Sequence, residues 1–115
     1  MAVCLAIVSD LIFATKIRST AEALGSTCRV AASLGALEDA LGSSAVGLAI
    51  VDMQVQGISA EEAIREIKAH RPATRVIAYF SHVQAELMTT AREAGADEAW
   101  PRSKFVQELP GLFTP

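Results

Sequence analysis

Val46-Gly47-Leu48-Ala49-Ile50-Val51-Asp52 is an apolar run closed by a carboxylate. The run does not alternate with polar residues. A continuous apolar run of this length suits a strand covered on both faces, as in a parallel sheet flanked by helices. Two more runs have the same character, Val3-Cys4-Leu5-Ala6-Ile7-Val8 and Val76-Ile77-Ala78-Tyr79-Phe80. Cys28-Arg29-Val30-Ala31 is a weaker run, suited to a strand near an edge, and Glu98-Ala99-Trp100 is a short fifth candidate.

Between these runs the apolar period changes to that of helices. Ile17, Ala21 and Leu24 repeat at four and three before Gly25, and Leu34, Leu37 and Leu41 do so before Gly42. Ser59-Ala60-Glu61-Glu62 reads as a capping box. Ala60, Ala63, Ile64 and Ile67 then line one face, with Pro72 beyond the end. Leu87, Ala91 and Ala94 form a fourth stripe closed by Gly95. Ser103 is placed to cap a last helix through Leu109, which Pro110 makes hard to continue. Strands alternate with helices over short connections, which predicts an open parallel sheet with helices on both faces.

The totals agree with one domain. The chain has 115 residues, 51% of them hydrophobic and 20% charged, enough for one core and unlike a disordered chain. The net charge of −3 gives no footprint for nucleic acid or for an acidic membrane surface. The Ala2–Val8 run is too short to span a membrane and lacks the basic flank of a signal peptide. The expectation is a cytoplasmic domain over 1–115, with 113–115 as a tail and no output domain. Cys4 and Cys28 lack CxxC spacing and sit in apolar runs, so they read as two buried thiols in a reducing compartment. With His70 and His82 they do not make a zinc pattern.

Function in such sheets sits at the carboxyl ends of the strands. The residues there are Ser9 and Asp10 after the first run, Asp52 after the third, Ser81 and His82 after the fourth, and Arg102 and Ser103 after the fifth. Asp10 and Asp52 are the oxygen ligands that Mg²⁺ takes, and Arg102 suits an anion or the two carboxylates. The same residues also fit a purely structural reading, in which the carboxylates cap helices and the arginine neutralises them. No glycine-rich phosphate loop follows the first strand, and no nucleophile elbow surrounds a serine, so a Ser81–His82–Asp triad has little support.

With these pieces assembled, the chain resembles the response-regulator receiver (CheY-like) domains. The carrying residues are Ala6-Ile7-Val8-Ser9-Asp10, Leu48-Ala49-Ile50-Val51-Asp52, and Ala94-Gly95-Ala96-Asp97-Glu98-Ala99-Trp100-Pro101-Arg102-Ser103. Asp10 and Asp52 lie 42 positions apart, and Asp52 and Arg102 lie 50 apart, which fits the family layout without a gap. The resemblance implies a five-stranded parallel sheet in the order 2-1-3-4-5, a doubly wound flavodoxin-like α/β fold. It makes Asp52 the candidate phosphoacceptor. It makes Asp10 and Asp52, with the backbone carbonyl of Gln54, the candidate Mg²⁺ ligands, although no cofactor is required.

Several positions depart from the family pattern. Ser9 stands where the family has the first acid of its metal-binding pair, and Phe80 where it has the strand-four hydroxyl. Ala99 stands for the aromatic switch residue, Arg102 for the lysine, Ser103 for the proline after it, and Val55-Gln56 for Met-Pro. If strand four carries a bulge, Ser81 takes the hydroxyl position instead of Phe80. The departures favour a stand-alone pseudo-receiver that is not an enzyme. It would act by binding a protein, such as a histidine kinase or another signalling protein, through the α4-β5-α5 side, or as a homodimer. The two alternatives are a working receiver phosphorylated at Asp52, with Arg102 and Ser81 pairing the phosphoryl group, and a flavodoxin-like small-ligand domain. Trp100, Phe105, Leu109, Leu112 and Phe113 form either a core edge or an apolar docking face.

Overall fold

The computed structural model describes residues 3–43, 45–81 and 85–114. Strands β1 (Val3–Ile7), β2 (Cys28–Ala31), β3 (Val46–Asp52), β4 (Arg75–Phe80) and β5 (Glu98–Pro101) alternate with helices α1 (Leu11–Ala23), α2 (Leu34–Ser43), α3 (Ala60–His70), α4 (Ala85–Ala94) and α5 (Arg102–Leu112). The sheet is parallel in the order β2-β1-β3-β4-β5. Its order reverses at β1, so β1 and β3 open a crevice at their carboxyl ends.

The apolar runs serve both faces of the sheet. Leu5, Ile7, Ala49, Val51, Ala78 and Phe80 point into one layer with α2, α3 and α4. Cys4, Ala6, Ile50, Ile77 and Tyr79 point into the other with α1 and α5. This two-sided burial is why the strands read as continuous rather than alternating.

Helix faces follow the sequence with instructive exceptions. On α3 the buried residues are Ala60, Ala63, Ile64 and Ile67, and Ser59 Oγ accepts from the Glu62 amide at 3.2 Å. On α1 and α2 the stripes are shifted: Leu24 and Leu34 are exposed, while Ala14 and Ala40 are buried. A helix lying on a sheet buries the residues nearest the strands, and small alanines allow that close approach. Helix α5 differs more. It starts at Arg102 with Pro101 as its cap residue, Ser103 makes no side-chain cap, and the helix runs through Pro110 to Leu112. Pro110 falls in the last turn, where few amides of the helix remain to be disrupted. Trp100, Phe105 and Leu109 are buried with Leu112 and Phe113 packed against them, so this cluster is core edge rather than an exposed face.

Candidate functional site

Ser9, Asp10, Asp52, Gln54, Gln56, Ser81 and Arg102 line one cleft of about 510 Å³ at the carboxyl edge of the sheet. Four strand ends deliver these residues, as the βα order requires. His82 lies outside the described residues.

Asp10 performs two tasks. Its Oδ1 accepts from the amides of Ile12 at 3.0 Å and Phe13 at 3.1 Å, which caps α1. Its Oδ2 lies 4.0 Å from Arg102 Nη2. That pair is half-exposed and long, so it orients charge more than it stabilises. Asp52, the last residue of β3, is only 6% exposed. Its Oδ1 accepts from the Gln54 amide at 2.8 Å. Burial pushes its carboxyl above the usual carboxylate range, against the opposing pull of the Gln54 amide and the Arg102 guanidinium.

Arg102 rests on aromatic rings. Its Cζ lies 4.5 Å from the centroid of Phe13 and 6.0 Å from that of Tyr79. Beneath it, Tyr79 stacks on Phe105 at 4.5 Å and tilts against Phe13 at 5.1 Å. A planar guanidinium suits that seat better than a compact ammonium. The Tyr79 hydroxyl and Arg102 Nε are buried and have no hydrogen-bond partner among the described residues. Burial, and Asp52 beside it, push the Tyr79 hydroxyl well above its ordinary range.

At the end of β4 the two candidates separate cleanly. Phe80 is buried at 1% in the α2-α3-α4 layer and does not line the cleft. Strand β4 pairs in continuous register with β3 and with β5, so no bulge carries Ser81 into place. Ser81 lines the cleft because it is the first residue beyond the strand. Its amide (2.9 Å) and its hydroxyl both donate to Gln54 Oε1. The other cleft hydroxyl, Ser9 Oγ, accepts from the Gln56 amide at 3.0 Å. Both hydroxyls are therefore tied to the β3–α3 loop. Sequence reasoning missed the Gln54 side chain and Gln56, since single amides in a loop carry no period or spacing signal. Ala99 is buried at 3% beside Ala78, with no ring to swing.

A divalent ion would find few ligands here. Asp10 and Asp52 each keep one oxygen, Oδ2, that accepts no hydrogen bond from the described residues. The Gln54 carbonyl takes a long bond of 3.5 Å from Gln56 Nε2. Among the described residues no group of three acid, histidine or cysteine side chains comes together. Two carboxylates and a carbonyl fit Mg²⁺ with several retained waters. Asp10 Oδ2, Asp52 Oδ2 and the Gln54 carbonyl would hold it, with Arg102 competing for Asp10.

The architecture can be compared with solved structures. A response regulator receiver domain protein from Clostridium thermocellum matches with a TM-score of 0.82 at 23% identity, over 98% of this chain and 91% of that one. The chain has the fold of a response-regulator receiver domain. A receiver domain protein (CheY-like) from Methanospirillum hungatei matches at 0.78 and 18% identity, over 96% and 95% of the two chains. A response regulator from Burkholderia pseudomallei, with a phosphorylated aspartic acid, calcium ion and citrate, matches at 0.80 and 18%, over 100% and 76%. No protein-family model matches the sequence, and no curated protein matches it. Within this receiver fold, no helix of the described residues is long and apolar enough to cross a membrane.

Proposed function

We propose that this chain is a signalling module of receiver type that works by binding a protein partner, without an aspartyl-phosphate switch. The observation that carries this reading is the end of β4. The residue there is Phe80, sunk in the core, and the nearby Ser81 hydroxyl is already bonded to Gln54. A phosphoryl group on Asp52 would meet no free hydroxyl to draw β4 towards it. Ala99 offers no ring whose two positions could report the change. A switch needs contacts that differ between two states, and both contacts are missing. Arg102, seated on Phe13 and facing Asp10, acts in this reading as a fixed counter-ion. The partner surface is the α4-β5-α5 side, where a kinase, another signalling protein or a second copy would dock.

Incubation with Mg²⁺ and a small phosphodonor, followed by intact-mass measurement, tests this directly. The expected result is no stable gain that depends on Asp52. A gain of one phosphoryl group, lost in Asp52→Asn, would overturn the proposal.

That outcome would establish the second reading, a working receiver phosphorylated at Asp52. Its support is the position of Ser81 in the cleft and the phosphorylated aspartic acid and calcium ion in the Burkholderia pseudomallei neighbour. In this version Mg²⁺ held by Asp10, Asp52 and the Gln54 carbonyl would offset charge on the phosphoryl oxygens, and Arg102 would pair with them.

A further inference from the structure

Cys4 and Cys28 are 24 positions apart in sequence, and the fold makes them direct neighbours. Strands β1 and β2 pair in parallel with Cys4 opposite Cys28, and both side chains enter the α1-α5 layer. Paired side chains on one face of adjacent strands are about 5 Å apart at Cβ, whereas a disulfide wants about 4 Å. The gap is small enough for local movement to close. The strand that must move is β2, a four-residue edge strand held on one side only. The ladder between β1 and β3 already shifts register between Val3 and Cys4, so the backbone here is not uniform. A groove of about 330 Å³, lined by Cys4, Ser26, Gly47, Leu48 and Phe113, opens onto the Cys4 member of the pair at the end of the sheet opposite the acidic cleft.

We propose that Cys4 and Cys28 are a peroxide-reactive dithiol, oxidised reversibly to an intrachain disulfide that ties β2 to β1. Cys28 is the attacking sulfur. The neighbouring Cys4 lowers the Cys28 thiol below its ordinary range, and Arg18 on α1 acts in the same direction, against burial and Glu22. The neighbouring Cys28, and then burial, hold Cys4 protonated. The Cys28 thiolate attacks one oxygen of hydrogen peroxide, the O–O bond breaks, and hydroxide leaves with the electron pair. The sulfenic acid at Cys28 is then attacked by the Cys4 sulfur. An S–S bond forms, the S–O bond breaks, and the oxygen leaves as water with the Cys4 proton. The proton earlier released by Cys28 neutralises the hydroxide. The two thiols are oxidised by two electrons, and one peroxide is reduced to two waters.

A bridge between β1 and its edge neighbour acts as a switch on the mobility of that edge strand.

The test uses the full chain. Protein treated with hydrogen peroxide is denatured, alkylated with iodoacetamide and weighed, alongside protein held in dithiothreitol. The expected oxidised species takes no alkyl label, is lighter by two hydrogens, stays monomeric, and yields a cross-linked peptide pair containing Cys4 and Cys28. Dithiothreitol restores both labels. Cys4→Ser should instead accumulate a Cys28 adduct with dimedone, the trap for sulfenic acids. Retention of both labels in the wild type after peroxide would overturn the proposal, as would a disulfide formed only between chains. Repeating the oxidation in urea guards against a trivial result: a bridge that forms at least as fast in the unfolded chain owes nothing to strand register, and that outcome also overturns the proposal.

Discussion

Tyr79→Phe removes one atom from beneath the cleft, and the sign of its effect tells whether the hydroxyl there is satisfied. The Tyr79 ring is fully buried, stacked on Phe105 at 4.5 Å and set against Phe13 at 5.1 Å. Phenylalanine keeps those ring contacts. What it loses is a buried hydroxyl with no hydrogen-bond partner among the described residues. Burying such a group without a partner costs about 1–3 kcal/mol. Part of that cost is already offset, because the hydroxyl dipole lies beside the Asp52 carboxyl, and an oxygen-sized gap forgoes some dispersion. The net expectation is a gain of about 1 kcal/mol, which for a domain of this size raises Tm by about 4 °C. Urea unfolding followed by fluorescence of Trp100, the only tryptophan, reads the gain as a higher midpoint at unchanged slope. Tyr79→Leu, which discards the stack as well, should lose about 2 kcal/mol or more. A Tyr79→Phe protein that is less stable by 1 kcal/mol would refute the reasoning. If that loss vanished in an Asp52→Asn background, the hydroxyl would be donating to Asp52 after all.

Three other expectations follow from the same physical picture. Asp52→Asn should stabilise the protein at neutral pH, because the raised carboxyl makes the ionised form costly in the folded state. With a folded value above the unfolded one, the wild type loses stability as pH rises through that interval, so the mutant's advantage should fade below about pH 4 in unfolding midpoints measured across pH. Asp97 shows the opposite sign: partial burial pushes its carboxyl up, but Lys68 at 2.8 Å and the Val76 amide at 2.7 Å outweigh it and hold it low. Asp97→Asn should cost about 1–2 kcal/mol at neutral pH in urea, and the difference should shrink as acid protonates the wild-type carboxyl. Gly95→Ala should lose more than about 1 kcal/mol by thermal denaturation, since Gly95 has φ of +119° and an added Cβ would sit 3.1 Å from Lys68 Cγ.

The sequence made the fold legible because its signals are redundant. Each of the three central strands is a continuous apolar run, four of the five helices have a stripe, and Gly25 and Gly95 stop two of them at positive φ. Asp10, Asp52, Ser81 and Arg102 could be gathered from strand ends alone, and they do share one cleft. What stayed hidden depends on direction and pairing. Whether Phe80 or Ser81 meets the cleft turns on where β4 ends, a one-residue matter that periodicity cannot resolve. The seat of Arg102 on Phe13 needs α1 and α5 to be neighbours, and nothing in the spacing of residues 13 and 102 says so. The Cys4–Cys28 pairing likewise appears only once β2 lies beside β1 in a definite register.

The two outer strands carry one further consequence. β2 has four residues and bears Arg29, whose Nη1 bonds Ser43 Oγ at 3.1 Å. β5 also has four residues, starts at Glu98 and finishes at Pro101, which has no amide hydrogen to give. Short borders with a charge or an imino acid make poor templates for another chain's backbone. The sheet is thus closed to lateral growth at both margins, so self-association through continued strand pairing is disfavoured. Any partner has to recognise side chains on the helices rather than extend the hydrogen-bond ladder. In a module that docks on a protein as proposed, that separates docking from polymerisation.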